Sequence, residues 1–320
     1  MASKSRMEVA VVLPAFNEEI TLEATVNNLK KVVPAAKIIV VDNASTDRTS
    51  QVAKKLRVDI LYEPRRGKGF AAQRGFDFAL NLGAKTIVLL DADDTYSVQR
   101  IPEAIKLVYE KNFDLITGTR VPATRSGDQL GEDVRHFRFG HQFGNRFFEK
   151  MNQMLLPAGI KDVLSGWRVM SRRFVASFPG EATGFEVEAQ LNSHAFNMNA
   201  ATTNIEIEYF PRPRGSRSKL NTYQDGLKIL RVTLKNFRNH RPLFAFSLLA
   251  TPWAILTIYF VYLPVSVYLE QGVVPYVPRL VAGVGTFIVA ALLWNSGMIL
   301  ERIRQIRIGI ALRVFNQNSF

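Results

Sequence analysis

Short apolar runs alternate with longer stretches in which apolar residues recur at helical spacing. Residues 9–13, 37–41, 59–62, 86–90 and 114–117 read as strands, and residues 20–33, 50–56, 69–82 and 101–111 as the helices between them. Near-continuous apolar strands separated by helices predict an α/β domain whose mostly parallel sheet is covered on both faces. Ligands of such sheets collect at the carboxyl ends of the strands. The loops after Leu13, Val41, Tyr62, Leu90 and Thr117 are therefore expected to share one site.

Beyond residue 120 the pattern changes. Residues 121–190 are less regular and include an amphipathic, Phe- and Met-rich segment at 137–156. Residues 222–240 carry Leu227, Leu230, Leu234 and Phe237 on one face, with Lys228, Arg231, Lys235 and Arg238 nearby, as in a helix lying at a lipid surface. Two runs without a charged residue follow, residues 243–264 and 280–300. Each matches the ~20 residues a helix needs to cross a bilayer. The expected organisation is a catalytic domain at 1–221, an interfacial helix at 222–241, and two membrane helices with a basic tail at 242–320.

Charge fixes the expected orientation. The chain is 320 residues long and carries a formal charge of +13, and nine of its basic residues lie between Tyr209 and Arg241 against one acid, Asp225. Arg302, Arg304, Arg307 and Arg313 follow the second apolar run. Basic flanks on both sides place both ends in the cytoplasm with a short outer loop. No nucleic-acid motif accompanies the charge, so anionic lipid and nucleotide phosphates are the expected partners and nucleic acid is not. The chain has no cysteine, which excludes disulfides, thiolate nucleophiles and cysteine metal sites.

The chemistry concentrates at Asp91-Ala92-Asp93-Asp94, directly after the fourth strand. Two carboxylates two residues apart at a strand end suit a hard divalent ion, Mg²⁺ or Mn²⁺, that shares its oxygen ligands with substrate phosphates. Leu13-Pro14-Ala15-Phe16-Asn17-Glu18-Glu19 ends the first strand and Val41-Asp42-Asn43-Ala44-Ser45-Thr46-Asp47 the second. Arg65-Arg66-Gly67-Lys68-Gly69 ends the third, with glycines that let backbone approach phosphate and cations to pair with it.

In this order and spacing, these strings resemble the inverting family 2 glycosyltransferases of the GT-A fold, in particular the polyprenyl-phosphate sugar synthases. The likeness extends over residues 8 to about 220, and residues 161–173, KDVLSGWRVMSRR, bear on the lipid acceptor. The resemblance implies transfer of a hexose from a nucleotide sugar to a polyprenyl phosphate, with inversion. It implies donor contacts from Pro14, Phe16, Asn17, Glu18, Val41, Asn43, Lys68, Asp91, Ala92 and Asp93, closed by Arg212 and Lys219. Asp91 and Asp93 would hold the metal, Arg120 and Arg138 would bind the acceptor phosphate, and Asp93, Arg120 and Asp162 would form the catalytic set. Asn43 stands where the family more often has Asp, and Thr95 where many relatives have Gln. Asp162 is the expected base or positioning residue, its bland alternative being a structural contact to Arg168 or Arg172. Glu186 and Glu188 form a weaker acidic pair. Gly67-Lys68-Gly69 leans toward a UDP-sugar, with GDP-mannose as the other donor.

A phosphate monoester acceptor has its second pKa near 6, so it is largely ionised at neutral pH and a strong general base is dispensable. A processive polysaccharide synthase would carry a Gln-x-x-Arg-Trp motif, which is absent. A non-catalytic membrane scaffold would not need Asp91 and Asp93. Neither G-x-G-x-x-G after the first strand nor a Walker A sequence is present. The resulting expectation is an integral membrane enzyme with a cytoplasmic catalytic domain, able to form homo-oligomers through its membrane helices.

Overall fold

The computed structural model describes residues 8–123, 161–180, 183–184, 186–213, 238, 241–274 and 276–318. The expectations for Arg138, Lys219, the segment 137–156 and the helix at 222–240 lie outside these residues. The chain divides into two compact units, Met1–Lys219 with Ala311–Phe320, and Leu220–Ile310.

In the first unit, β1 (Val9–Ala15), β2 (Lys37–Asp42), β3 (Asp59–Tyr62) and β4 (Thr86–Leu89) are joined by helices α1 (Leu22–Val32), α2 (Thr49–Lys55) and α3 (Lys68–Asn81). These strands pair in parallel, β1 lying between β2 and β4. Ala10 to Leu13, Ile39 to Val41 and Ile87 to Leu89 are fully shielded from solvent, which is why they read as unbroken apolar runs. Helix α3 lies close against the sheet: a Cβ on Gly75 would collide with the Val12 side chain.

Helix α4 (Ile101–Lys111) leads to β5 (Leu115–Pro122), and a further strand, β6 (Arg168–Ser171), enters between β4 and β5. β6 runs antiparallel to both neighbours. Helices α5 (Arg172–Ser177) and α6 (Val187–Asn197) follow, and β7 (Thr202–Tyr209) pairs in parallel with β5 at the edge. The seven-stranded sheet has the order β3-β2-β1-β4-β6-β5-β7. Two details differ from the sequence pattern. β5 continues past Thr117 to Pro122, so Arg120 sits in the strand rather than in a loop after it. β6 has only four residues and contains a buried arginine, which masks it as a strand.

In the second unit, α7 (Pro242–Gln271) holds two internal prolines, Pro252 and Pro264, and ends on Gly272 in the left-handed region. Helix α8 (Val277–Gln317), whose residues up to Ile310 belong to this unit, continues well past the apolar run, through the arginines that follow it. The two helices pack where Gly283 meets Val261 and Gly297 meets Leu243 and Phe246. The Thr257 and Thr286 hydroxyls, 3.0 Å apart, link them. By length and composition both could cross a membrane, and most of each apolar window is unburied.

Candidate functional site

The carboxyl ends of β1 and β2 meet first. Asn17 takes a positive φ of 55°, which asparagine tolerates better than most side chains. Its Oδ1 accepts from the Thr46 amide at 2.8 Å and its own amide donates to Ser45 at 3.1 Å. The Glu18 amide donates to Thr49 Oγ1 at 2.9 Å. Glu18 is itself buried, and the Thr21 hydroxyl lies 2.9 Å from both its Oε2 and the carbonyl oxygen of Ala92. These bonds fix the β1 loop against the β4 loop. Pro14 is half-buried and Val41 buried beside it, and the Arg66 guanidinium stands 5.2 Å from the Phe16 ring centroid.

Asn43 is bonded across to the loop that follows β3. Its amide nitrogen donates to the carbonyls of Arg65 at 2.7 Å and Glu63 at 3.3 Å, and its Oδ1 accepts from the Gly67 amide at 2.7 Å. An aspartate could not make the two donations. Asn43 thus shapes the turn that delivers Lys68. Gly67 has φ 142°, and a Cβ there would strike the Thr183 carbonyl oxygen, so this turn also packs against the segment leading into α6.

Lys68 does not project into an open loop. Its ammonium is buried between two carboxylates, in an ion pair with Asp91 and 2.5 Å from Glu188 Oε1. Burial alone would drive this ammonium toward neutrality, but Asp91 and Glu188 together outweigh it and hold Lys68 above the usual lysine range. Burial pushes the Glu188 carboxyl up, against the pull of Lys68. Glu188 Oε2 is buried and has no hydrogen-bond partner among the described residues. Glu186, two residues earlier, bonds back to the segment before α6: its Oε1 accepts from the Thr183 amide at 3.0 Å and hydroxyl at 2.8 Å.

Asp93 is held by Thr95, whose hydroxyl donates to its Oδ1 at 2.6 Å, and by Arg212, whose Nη2 donates to its Oδ2 at 2.7 Å. Burial and then the charge of Asp91 raise the Asp93 carboxyl pKa, while Thr95 and Arg212 pull it back. Thr95, two residues past Asp93, therefore serves the second aspartate directly. Gly166 closes the other side: a Cβ there would overlap Asp91 Oδ2, and its amide donates to the buried Tyr96 hydroxyl at 3.0 Å.

Farther along the sheet, Arg120 and Asp162 form a two-pronged pair, with Nε 2.7 Å and Nη2 2.9 Å from the carboxylate oxygens. The expected structural partners of Asp162, Arg168 and Arg172, are engaged elsewhere. Arg168 is fully buried and donates to Ser165 O, Thr117 Oγ1, Asn192 Oδ1 and Val163 O. Burial without a paired carboxylate lowers its pKa to about 10. Arg172 reaches the carbonyls of Leu80 and Ala84. Arg168 thereby ties the loop carrying Asp162 to β5 and α6.

Asp91 and Asp93 offer two hard oxygen donors, each already facing a cation of the chain. That chemistry fits a divalent ion. Among the described residues no cluster of three or more His, Cys, Asp or Glu side chains could hold a metal, so phosphate oxygens and water would complete the shell. The sequence pattern missed Tyr96 and Gly166, and gave no sign of the contact between Lys68 and Glu188. The only signals for Tyr96 and Gly166 are a tyrosine soon after the acidic pair and a glycine beside a tryptophan.

A seven-stranded mixed sheet with a paired-aspartate loop at the end of its central β4 defines a glycosyltransferase of the GT-A fold. The chain belongs to glycosyl transferase family 2, whose model matches residues 10–178. It is 24% identical over 229 residues to the dolichyl-phosphate hexose transferase of Haloferax volcanii, covering 71% of this chain and 93% of that protein. It is 26% identical over 216 residues to the polyprenol monophosphomannose synthase of Mycolicibacterium smegmatis, covering 64% and 78%. Mycobacterium tuberculosis glucosyl-3-phosphoglycerate synthase, solved with Mn²⁺, UDP-glucose and phosphoglyceric acid, shares the fold. Its TM-score is 0.52 at 21% identity, covering 72% of this chain and 80% of that one.

Proposed function

We propose that this glycosyltransferase moves a hexose from a nucleotide sugar, a UDP-sugar in preference to GDP-mannose, onto a polyprenyl phosphate, with inversion, at the cytoplasmic face of a membrane. The observation that carries the reading is the convergence of Asp91, Asp93, Lys68 and Arg212 at the end of β4, beside the Arg120–Asp162 pair. The relatives named for dolichyl and polyprenol phosphate support the acceptor class. The apolar helices α7 and α8 and their basic flanks support a membrane anchor at 242–320, an interfacial helix at 222–241 and a catalytic domain at 1–221. Helix contacts between copies in the bilayer would make homo-oligomers.

A Mg²⁺ or Mn²⁺ ion held by Asp91 and Asp93 would supply positive charge for the departing nucleoside diphosphate. The loops of Pro14, Phe16, Asn17, Glu18, Val41, Asn43 and Ala92 would form the nucleotide wall, and Arg212, with Lys219, would cover the diphosphate. A phosphate oxygen of the lipid attacks the anomeric carbon as the bond from that carbon to the donor phosphate breaks. Because that oxygen is already ionised, the chain needs to orient it rather than deprotonate it. Two prongs of Arg120 go to Asp162, which leaves its other N–H groups to receive the phosphate, with Arg138 as the second cation. Asp162 then acts by aiming Arg120.

The test is transfer by the purified full-length chain, given a short polyprenyl phosphate and a panel of nucleotide sugars, with the lipid product read by mass. Asp93→Ala should lower transfer by about 10²-fold or more, the scale of losing a main charge-stabilising group, and EDTA should abolish it. Full activity in EDTA would remove the metal from the mechanism. No sugar-lipid product from any donor would remove the acceptor class.

A further inference from the structure

The Lys68 ammonium is shared between Asp91, the expected metal carboxylate, and Glu188, to which the proposed function gives no role. The three side chains come from three elements: Lys68 opens α3, Asp91 follows β4, and Glu188 lies in the first turn of α6. Their juxtaposition is built twice. Gly67 meets the Thr183 carbonyl, which locks the turn before α3 to the segment before α6. Arg168 binds Asn192 of α6 and the Val163 carbonyl, which fixes α6 against the loop that carries Gly166.

A buried charge is tolerated only with a partner. Before a metal arrives, Lys68 neutralises Asp91. Once a divalent ion takes Asp91, Lys68 would face that ion as a like charge and lose its partner, were Asp91 its only one. Glu188 removes this conflict. We propose that Glu188 is a positioning residue that retains the Lys68 ammonium when a divalent ion takes Asp91, so the site exchanges one cation for another without stranding either charge. This inference rests on the metal reading above. Glu188 touches neither the ion nor the reacting atoms in this role; it acts through Lys68.

The experiment titrates Mn²⁺ into the full-length protein in detergent with UDP present, reading free Mn²⁺ by electron paramagnetic resonance, with thermal unfolding of each variant as a fold control. Wild type should bind Mn²⁺ and Asp91→Asn should not. Glu188→Gln should weaken Mn²⁺ binding on the order of tenfold, because Lys68 is then left to compete for Asp91 alone. The double variant Lys68→Met with Glu188→Gln, which removes both charges, should recover binding to within about threefold of wild type. Unchanged binding in Glu188→Gln would overturn this inference while leaving the metal reading intact. So would a double variant as weak as Glu188→Gln, because Glu188 would then not act through Lys68. Absence of Mn²⁺ binding by wild type would overturn the metal reading and this inference with it.

Discussion

Replacing Gly166 with alanine adds one methyl group, and that methyl would sit inside the van der Waals surface of Asp91 Oδ2. Asp91 cannot move toward Lys68, whose ammonium already touches it. The expected outcome of Gly166→Ala is a fall in kcat of about 10²-fold, the cost of ångström-scale misplacement of a reacting group. The forced contact should also lower stability by about 1–3 kcal/mol, a loss separate from the fall in kcat. Steady-state kinetics beside thermal unfolding check this, and normal kcat would show that Asp91 has slack. Asp91 and Asp93 are legible in the sequence because two acids at a strand end have few other uses there. The Arg120–Asp162 pair is not, because its members are 42 positions apart and only the sheet brings them together. Asn43 was legible only as a loop residue at a strand end; its three bonds to the backbone of the turn 63–67 depend on a fold that no local pattern reveals.

Between elements, α6 and α5 meet at His194, whose Nε2 lies 2.9 Å from Ser177 Oγ and 3.3 Å from the Phe174 carbonyl oxygen. The rings of Phe174 and Phe178 flank it. Burial lowers its pKa from 6.5 to about 4. Above pH 6.5 both folded and unfolded states hold a neutral imidazole. Between pH 6.5 and 4 the unfolded state binds a proton that the folded state refuses, so stability falls with falling pH, by about 3 kcal/mol at most. His194→Gln should flatten the pH dependence of unfolding free energy across that window by close to one proton. An unchanged slope would place the titration elsewhere. At this scale β1 to β5 and the helices between them are legible, because mostly apolar runs alternate with stretches at helical spacing. β7 also carries a signal, since Ile205 and Ile207 are buried and Glu206 and Glu208 exposed, the alternation of a half-covered edge. β6 carries none: four residues led by a buried arginine read as loop.

For the whole molecule, the two charge-free runs made the paired apolar helices legible, and only the structure adds that α8 continues through the arginines to Gln317. If both basic flanks face the cytoplasm, a reporter fused after Phe320 should score cytoplasmic, and a tag beside Gly272 should be reachable from the outer side. A C-terminal reporter on the outer side would overturn the topology. The antiparallel β6 bears on how such a chain is made. β1 to β4 can pair as they emerge, but β4 then shows one open edge, and β5 has no neighbour on the sheet until β6 is synthesised. During that interval the open edge of β4 and both edges of β5 stand ready to pair with any passing chain. The strand that ends the exposure is complete at Ser171 and the last strand at Tyr209, both ahead of the first apolar helix at Pro242. The order of elements along the chain thus lets the ribosome finish the sheet before the long apolar helices emerge, so the two hazards of aggregation, bare strand edges and bare apolar helix faces, come one after the other.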